Sequence, residues 1–178
     1  MNNSFFIYLQ QLELMAFFSG YPLVYAVTIS IAGNKPLTSN FKSRVVSLLP
    51  FAYALVGTLY LGLQLKNLYP NYSFDNIKHT IQLPWLIAWG LLSTLFWIPF
   101  LSKKIFVSLL HSLIFLFFLL RDLFLQLTAS ATDASMLQND MKIYSISLLI
   151  NIAALAIVVF LYFLFTCYNK SKKTQPGI

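Results

Sequence analysis

Charged and hydrogen-bonding side chains that could carry chemistry lie inside long apolar stretches of this sequence. His111, Arg121 and Asp122 occur within the run from Ile105 to Leu127, which is otherwise almost wholly apolar. Glu13 lies in an apolar segment near the N-terminus, and a carboxylate there or at Asp122 could exchange a proton. Charges in an apolar medium are costly, so these side chains must face protein, water or one another.

The depths of these residues predict that several of them meet. At about 1.5 Å per helical residue, Arg121 lies about 9 Å, and Glu13 and Asn151 about 12 Å, from the ends of their segments on one side of the bundle. We therefore predict a polar cluster of Glu13, Arg121, Asp122 and Asn151, with a Glu13–Arg121 salt bridge compatible with these depths. Such a cluster would be either an outward-opening substrate or ion site or a clamp between helices, with Arg121 reaching towards the interface.

His111 falls on a polar stripe of the central apolar run. At about 100° per residue, five side chains share that stripe: Ser108, His111, Ser112, Asp122 and Gln126. The other histidine, His79, lies in a loop, which excludes a bis-histidine haem buried within one chain. One histidine supplies too few ligands for zinc unless Asp and other groups join it. We expect His111 to be hydrogen-bonded to a neighbouring helix, and we assign no catalytic residue, metal or cofactor.

The composition identifies the class of protein. The chain has 178 residues, of which 58% are hydrophobic, 17% aromatic and only 10% charged, whereas soluble domains average about 25% charged residues. The net charge of +7 comes from basic clusters between apolar runs, a pattern typical of membrane topology rather than of nucleic-acid binding. The single cysteine, Cys167, excludes an intrachain disulfide.

Five apolar segments are long enough to cross a bilayer. They are residues 5–32, 45–65, 83–101, 105–127 and 143–168. Lipid cannot hydrogen-bond the backbone, so we predict an all-α integral membrane protein in which residues 1–178 form a single bundle of five transmembrane helices. Gln10, Gln11 and Glu13 interrupt the first segment and Pro22 would kink it, so the alternative is four spans plus an interfacial or re-entrant N-terminal helix.

The basic residues predict the orientation. Alternate connections hold two sets of Lys and Arg, one of eight residues and one of three, when Arg121 is placed within the membrane. Basic residues near segment ends stay on the cytoplasmic side, so the set of eight, including the C-terminal tail, is predicted to be cytoplasmic. With five spans the N-terminus lies outside, and the end of the bundle that holds Glu13 is the outer end.

Motif content and small-residue faces suggest a function class. There is no Gly-rich phosphate loop, HExxH, GxSxG or CxxC motif. Ala54, Thr58 and Gly62 form a small face on one segment, as do Ser147, Asn151 and Ala154 on another; such faces let helices approach closely, within a chain or between chains. We expect a non-enzymatic oligomeric transporter or pore, or a subunit of a larger membrane complex.

The expected partners are membrane lipids and either copies of this chain or other membrane subunits, with no nucleic acid. The alternative function is an intramembrane enzyme acting on lipid or isoprenoid substrates, with Glu13 or Asp122 as general acid or base and His111 assisting. The tail carries no recognised sorting signal, so a bacterial cytoplasmic membrane is the expected location.

Overall fold

A computed structural model describes residues 3–33, 40–128 and 134–173, and every regular element in those ranges is helical. The elements are α1 (Asn3–Phe18), α2 (Tyr21–Gly33), α3 (Asn40–Leu68), α4 (Phe74–Thr80), α5 (Pro84–Leu92), a 3₁₀ helix (Ser93–Trp97), α6 (Pro99–Ser102), α7 (Ile105–Thr128) and α8 (Ala134–Lys173). The all-helical prediction is confirmed for the described residues.

Four stretches of helix are long and apolar enough to cross a membrane. They are Phe6–Ile31, Ser43–Leu68, Ile105–Leu125 and Met141–Asn169. A fifth candidate is the pair Phe74–Thr80 and Pro84–Trp97, whose two parts are bent by 97°. The described part of the chain therefore has four or five helical stretches that are long and apolar enough to cross a membrane.

The segment whose span is in question is the third rather than the first. Phe6–Ile31 meets the length and hydropathy requirement although α1 ends at Phe18 and α2 begins at Tyr21. The predicted continuous helix over 83–101 is instead divided into α5, the 3₁₀ helix and α6. Pro99 explains the break between the 3₁₀ helix and α6. Ile98, which precedes it, has an extended backbone (ψ 126°), because a residue before proline disfavours the helical region.

Helix α7 runs antiparallel to the first segment. Gln11 of α1 contacts Asp122 near the end of α7, and Tyr21 of α2 contacts Ser108 near its start. The order of contact partners is therefore reversed between the two stretches.

Helix α3 also runs antiparallel to the first segment. Glu13 contacts Gln64 near the end of α3, while the Tyr21 ring packs on Tyr53, with 4.4 Å between ring centroids. Since α3 and α7 both oppose the first segment, they run in the same direction.

Aromatic side chains fill the centre of the bundle. The Phe18 ring lies 4.8 Å from Phe115, 5.3 Å from Tyr60 and 5.7 Å from Tyr53, measured between ring centroids. All four side chains are fully buried. The close packing of these large rings stabilises the bundle, and such packing stabilises helix contacts in lipid as well as in water.

Candidate functional site

The Glu13 carboxylate lies between α1 and α3. Its Oε2 atom accepts a hydrogen bond from Gln64 Nε2 at 3.4 Å, and Asn67, almost one turn further along α3, also interacts with this carboxylate. Glu13 is half-buried, Gln64 is buried and Asn67 is exposed. The carboxylate is therefore held by amide groups and is reachable from the end of the bundle.

A second polar group with an uncommon environment is the Tyr60 hydroxyl on α3. Tyr60 precedes Gln64 by four residues on α3, so the two side chains share a face of the helix. Tyr60 is 0% exposed, and its hydroxyl has no hydrogen-bond partner within the described part of the chain. Buried polar atoms without a partner are uncommon and require an explanation.

Arg121 and Asp122 point to different surroundings. Asp122 Oδ2 accepts a hydrogen bond from Gln11 Nε2 at 2.9 Å, which joins α7 to α1. Arg121 is exposed, and within the described ranges no ion pair joins it to Glu13. Neighbouring residues on a helix point about 100° apart, so the rotation that turns Asp122 towards α1 turns Arg121 away.

Asn151 is buried, and it contacts backbone rather than the carboxylates. Its Nδ2 atom donates to the carbonyl oxygens of Phe17 and Ser147, both at 2.8 Å, and the residue is 1% exposed. Its Oδ1 atom has no partner among the described residues. Asn151 thus joins α8 to the end of α1, and the structure gives Glu13, Asp122 and Asn151 different partners.

His111 connects three elements deeper in the bundle. Its Nδ1 atom lies 2.7 Å from the Tyr53 hydroxyl and its Nε2 atom 2.9 Å from the Trp89 carbonyl oxygen. A carbonyl only accepts, so Nε2 carries the proton and Nδ1 accepts from Tyr53. The imidazole also stacks on the Trp89 ring at 4.8 Å and 6°. Both nitrogens are occupied, as expected of a packed histidine.

The polar stripe on α7 faces inward where its side chains are described. Ser108 and Ser112 are 0% exposed and His111 is 8% exposed. Asp122 is half-buried, and the side chain of Gln126 lies outside the described residues. No group of three or more His, Cys, Asp or Glu side chains able to hold a metal occurs in the described ranges.

Gln10 organises the bend between α4 and α5, a role that was not predicted. Its Oε1 atom accepts from the backbone N–H groups of Gln82 (3.0 Å) and Leu83 (3.1 Å), and its Nε2 atom donates to the Thr80 carbonyl at 2.6 Å. Gln10, Tyr60 and Gln64 share one signal in the sequence, a polar atom inside an apolar segment. That signal identifies a residue that needs a partner but not which partner it finds.

An apolar groove of about 300 Å³ lies between α2 and α8. Its walls are aliphatic apart from one threonine: Leu23, Val24, Val27, Thr28, Leu148, Ile152 and Leu155. The Thr28 hydroxyl already donates to the Val24 carbonyl at 2.7 Å, so the groove offers no free polar group in its described wall.

No family model matches this chain, and neither a curated protein nor a solved structure matches it.

Proposed function

We propose that this chain is a non-enzymatic, multi-pass membrane protein that works as a subunit of a larger membrane assembly, with copies of itself or with other chains. The observation that carries the proposal is a contrast between the inside and outside of the bundle. Phe18, Tyr53, Tyr60 and Phe115 fill the centre, whereas only 17% of the most apolar stretch of α8 is buried. We therefore expect any path for a solute to lie between chains rather than within one.

Small residues on exposed surfaces support association. On α8, Ala153 and Ala156 are exposed and lie on the same face as Leu149, which is 70% exposed. On α3, Gly62 is exposed and a Cβ atom added to it would have no neighbour within 4 Å. Lipid is as apolar as leucine, so burial alone does not drive association, but small residues allow another helix to approach closely.

Five crossings with a cytoplasmic C-terminus form part of this proposal. The parallel directions of α3 and α7 support them, because the chain between two parallel spans must return across the membrane. Leu83 lies against Gln10 near the Glu13 end, while Trp97 Nε1 donates to Thr58 Oγ1 at 2.9 Å, further towards the other end. The third segment therefore progresses along the bundle despite its breaks. The basic tail then faces anionic lipid of a cytoplasmic leaflet, as in a bacterial inner membrane.

The native mass of the particle, extracted in mild detergent from its own membrane, tests the proposal. We expect a particle heavier than one 20.4 kDa chain with its detergent, containing further protein chains that mass spectrometry identifies. A bare monomer would contradict the proposal.

A variant pair makes this test specific to one surface. Ala153→Trp adds bulk to the small-residue face of α8 and should release the partner chain. Phe165→Trp changes an exposed position about 120° around the same helix and should leave the particle mass unchanged. Equal masses for both variants and the parent chain would exclude the Ala153 face as the contact surface.

A further inference from the structure

We propose that an anionic phospholipid binds along α8, with an acyl chain in the apolar groove between α2 and α8 and its phosphate at Arg44 and Tyr162. The proposal does not depend on the oligomeric assembly described above, because the groove and the charged group belong to one chain. It rests on the shape of the groove, on one continuous face of α8 and on the charge at the end of that face.

The groove has the shape and lining of a site for a hydrocarbon chain. Val24 is buried and Leu155 half-buried at its floor, whereas Leu23 and Val27 are exposed along its rim. Its volume is about 300 Å³, and its described wall is aliphatic apart from Thr28, whose hydroxyl is already hydrogen-bonded to the backbone. An acyl chain would make close apolar contacts with such a wall and would leave no polar group without a partner.

One face of α8 leads from the groove to Arg44. Leu148, Leu155 and Tyr162 are spaced by seven residues, so their side chains lie close together around the helix axis. At about 1.5 Å per residue, Tyr162 lies about 10 Å beyond Leu155. Arg44 Nη1 donates to the Tyr162 hydroxyl at 2.9 Å, and the guanidinium carbon lies 5.9 Å from the centroid of the same ring. The guanidinium therefore lies about two helical turns beyond the groove, over the same face of α8.

The charge of Arg44 favours an anionic ligand. The acidic residues in the described ranges belong to elements at the opposite end of the bundle: Glu13, Asp75, Asp122 and Asp140. None of them is placed to pair with Arg44, whereas a lipid phosphate would supply the negative charge. A guanidinium binds phosphate through two parallel N–H donors. The Tyr162 hydroxyl accepts from Arg44 and keeps its own hydrogen to donate to a phosphate oxygen.

The positions along the spans favour a lipid over a helix of a second chain. The groove lies within the spans Phe6–Ile31 and Met141–Asn169, at the depth of lipid tails, and Arg44 lies in the first turn of the span Ser43–Leu68, at the depth of lipid phosphates. A second copy in the same membrane orientation would bring its own basic end to Arg44. A phospholipid instead places a negative charge at the boundary and an apolar chain further in.

Thermal unfolding of the full chain in neutral detergent tests the proposal, with either dioleoyl-phosphatidylglycerol or dioleoyl-phosphatidylcholine added. We expect the unfolding midpoint to rise saturably with phosphatidylglycerol, since a ligand that binds the folded state stabilises it. The apparent affinity for phosphatidylcholine should be weaker by about tenfold or more. The two lipids have the same acyl chains, so the difference measures recognition of the anionic headgroup. Equal affinities would overturn the proposal.

Two matched pairs of variants locate the site. Arg44→Gln should weaken the affinity for phosphatidylglycerol by about tenfold, whereas Lys103→Gln removes the same charge from the connection between α6 and α7 and should leave it unchanged. Val27→Trp should fill the groove and weaken binding, whereas Ala26→Trp adds bulk at an exposed position about 100° around α2 and should not. Full affinity in Arg44→Gln or in Val27→Trp, or an equal loss in Lys103→Gln, would overturn the assignment.

Native mass spectrometry provides a second readout that needs no thermal transition. The parent chain released from mixed micelles should retain phosphatidylglycerol in preference to phosphatidylcholine, and Arg44→Gln should lose this preference. Glycerol 1-phosphate, which has the phosphate without the acyl chains, should not raise the unfolding midpoint at the concentration at which phosphatidylglycerol saturates. An equal response to glycerol 1-phosphate, or a Val27→Trp protein that changes in particle mass but not in lipid retention, would overturn the proposal in favour of a free phosphate or a second chain.

Discussion

The backbone N–H of Gly20 donates to Ser147 Oγ at 2.8 Å, at the point where α1 ends and α2 begins. A Cβ atom added to Gly20 would lie 2.6 Å from the Leu148 backbone nitrogen. Helix α8 thus packs against the break itself, and its serine satisfies a backbone group there. The break between α1 and α2 is therefore the place where α8 packs against the first segment.

Gly20→Ala should destabilise the protein by about 1–3 kcal/mol, because the backbone of α8 would have to move away. Gly62→Ala is the matched control: its added Cβ meets nothing within 4 Å, and alanine favours a helix over glycine, so stability should be unchanged or slightly raised. Reversible unfolding in mixed detergent micelles measures both. Equal effects of the two substitutions on the free energy of unfolding would show that the close contact between Gly20 and α8 does not contribute to stability.

Tyr53→Phe should destabilise the protein by about 1–3 kcal/mol, because it leaves the buried Nδ1 atom of His111 without its 2.7 Å donor. Tyr72→Phe, in the exposed connection before α4, should have no measurable effect. Thermal unfolding of the two variants compares them directly. A Tyr53→Phe protein as stable as the parent would mean that His111 finds another donor.

Gln10→Leu should loosen the α4–α5 bend, because the Thr80 carbonyl and the N–H groups of Gln82 and Leu83 lose their partner. Gln10→Glu keeps an acceptor for both N–H groups and should retain more protection than the leucine variant. Hydrogen exchange of the amides at Gln82 and Leu83 measures the difference. Unaltered exchange in Gln10→Leu would show that other contacts hold the bend.

Glu13→Gln and Arg121→Gln should have additive effects on stability, with a coupling free energy below about 0.5 kcal/mol, since the two side chains do not form an ion pair in the structure. A double-mutant cycle of unfolding free energies measures this coupling. A coupling of 1 kcal/mol or more would show that Glu13 and Arg121 form the salt bridge that their depths alone suggested.

Single cysteines on either side of the third segment test the five-crossing proposal. In a Cys167→Ser background, Asp75→Cys and Lys104→Cys place exposed thiols before and after this segment. A membrane-impermeant maleimide should label position 75 from outside intact cells and position 104 only after permeabilisation. Labelling of both positions from one side would make Pro84–Trp97 a re-entrant segment instead.

Composition and segment length sufficed to predict the helical class and the presence of four or five candidate spans. The requirement that every backbone group be bonded within its own segment leaves few alternatives in lipid, so length and hydropathy alone carry this prediction. Pro22 was also predicted to kink the first segment, and it directly follows the break between α1 and α2. Composition and segment length did not show that the third segment would divide while the first retained enough length to span.

The sequence by itself determined which residues need a polar partner, since Glu13, Asp122, Asn151 and His111 stand in apolar segments whatever the packing. Only the tertiary structure decided which partners they have. Depth along a helix follows from counting residues, but the direction in which a side chain points depends on how each helix is rotated against its neighbours. That rotation, set by contacts such as the one between Gly20 and Ser147, brought Glu13 to Gln64 and turned Arg121 outward.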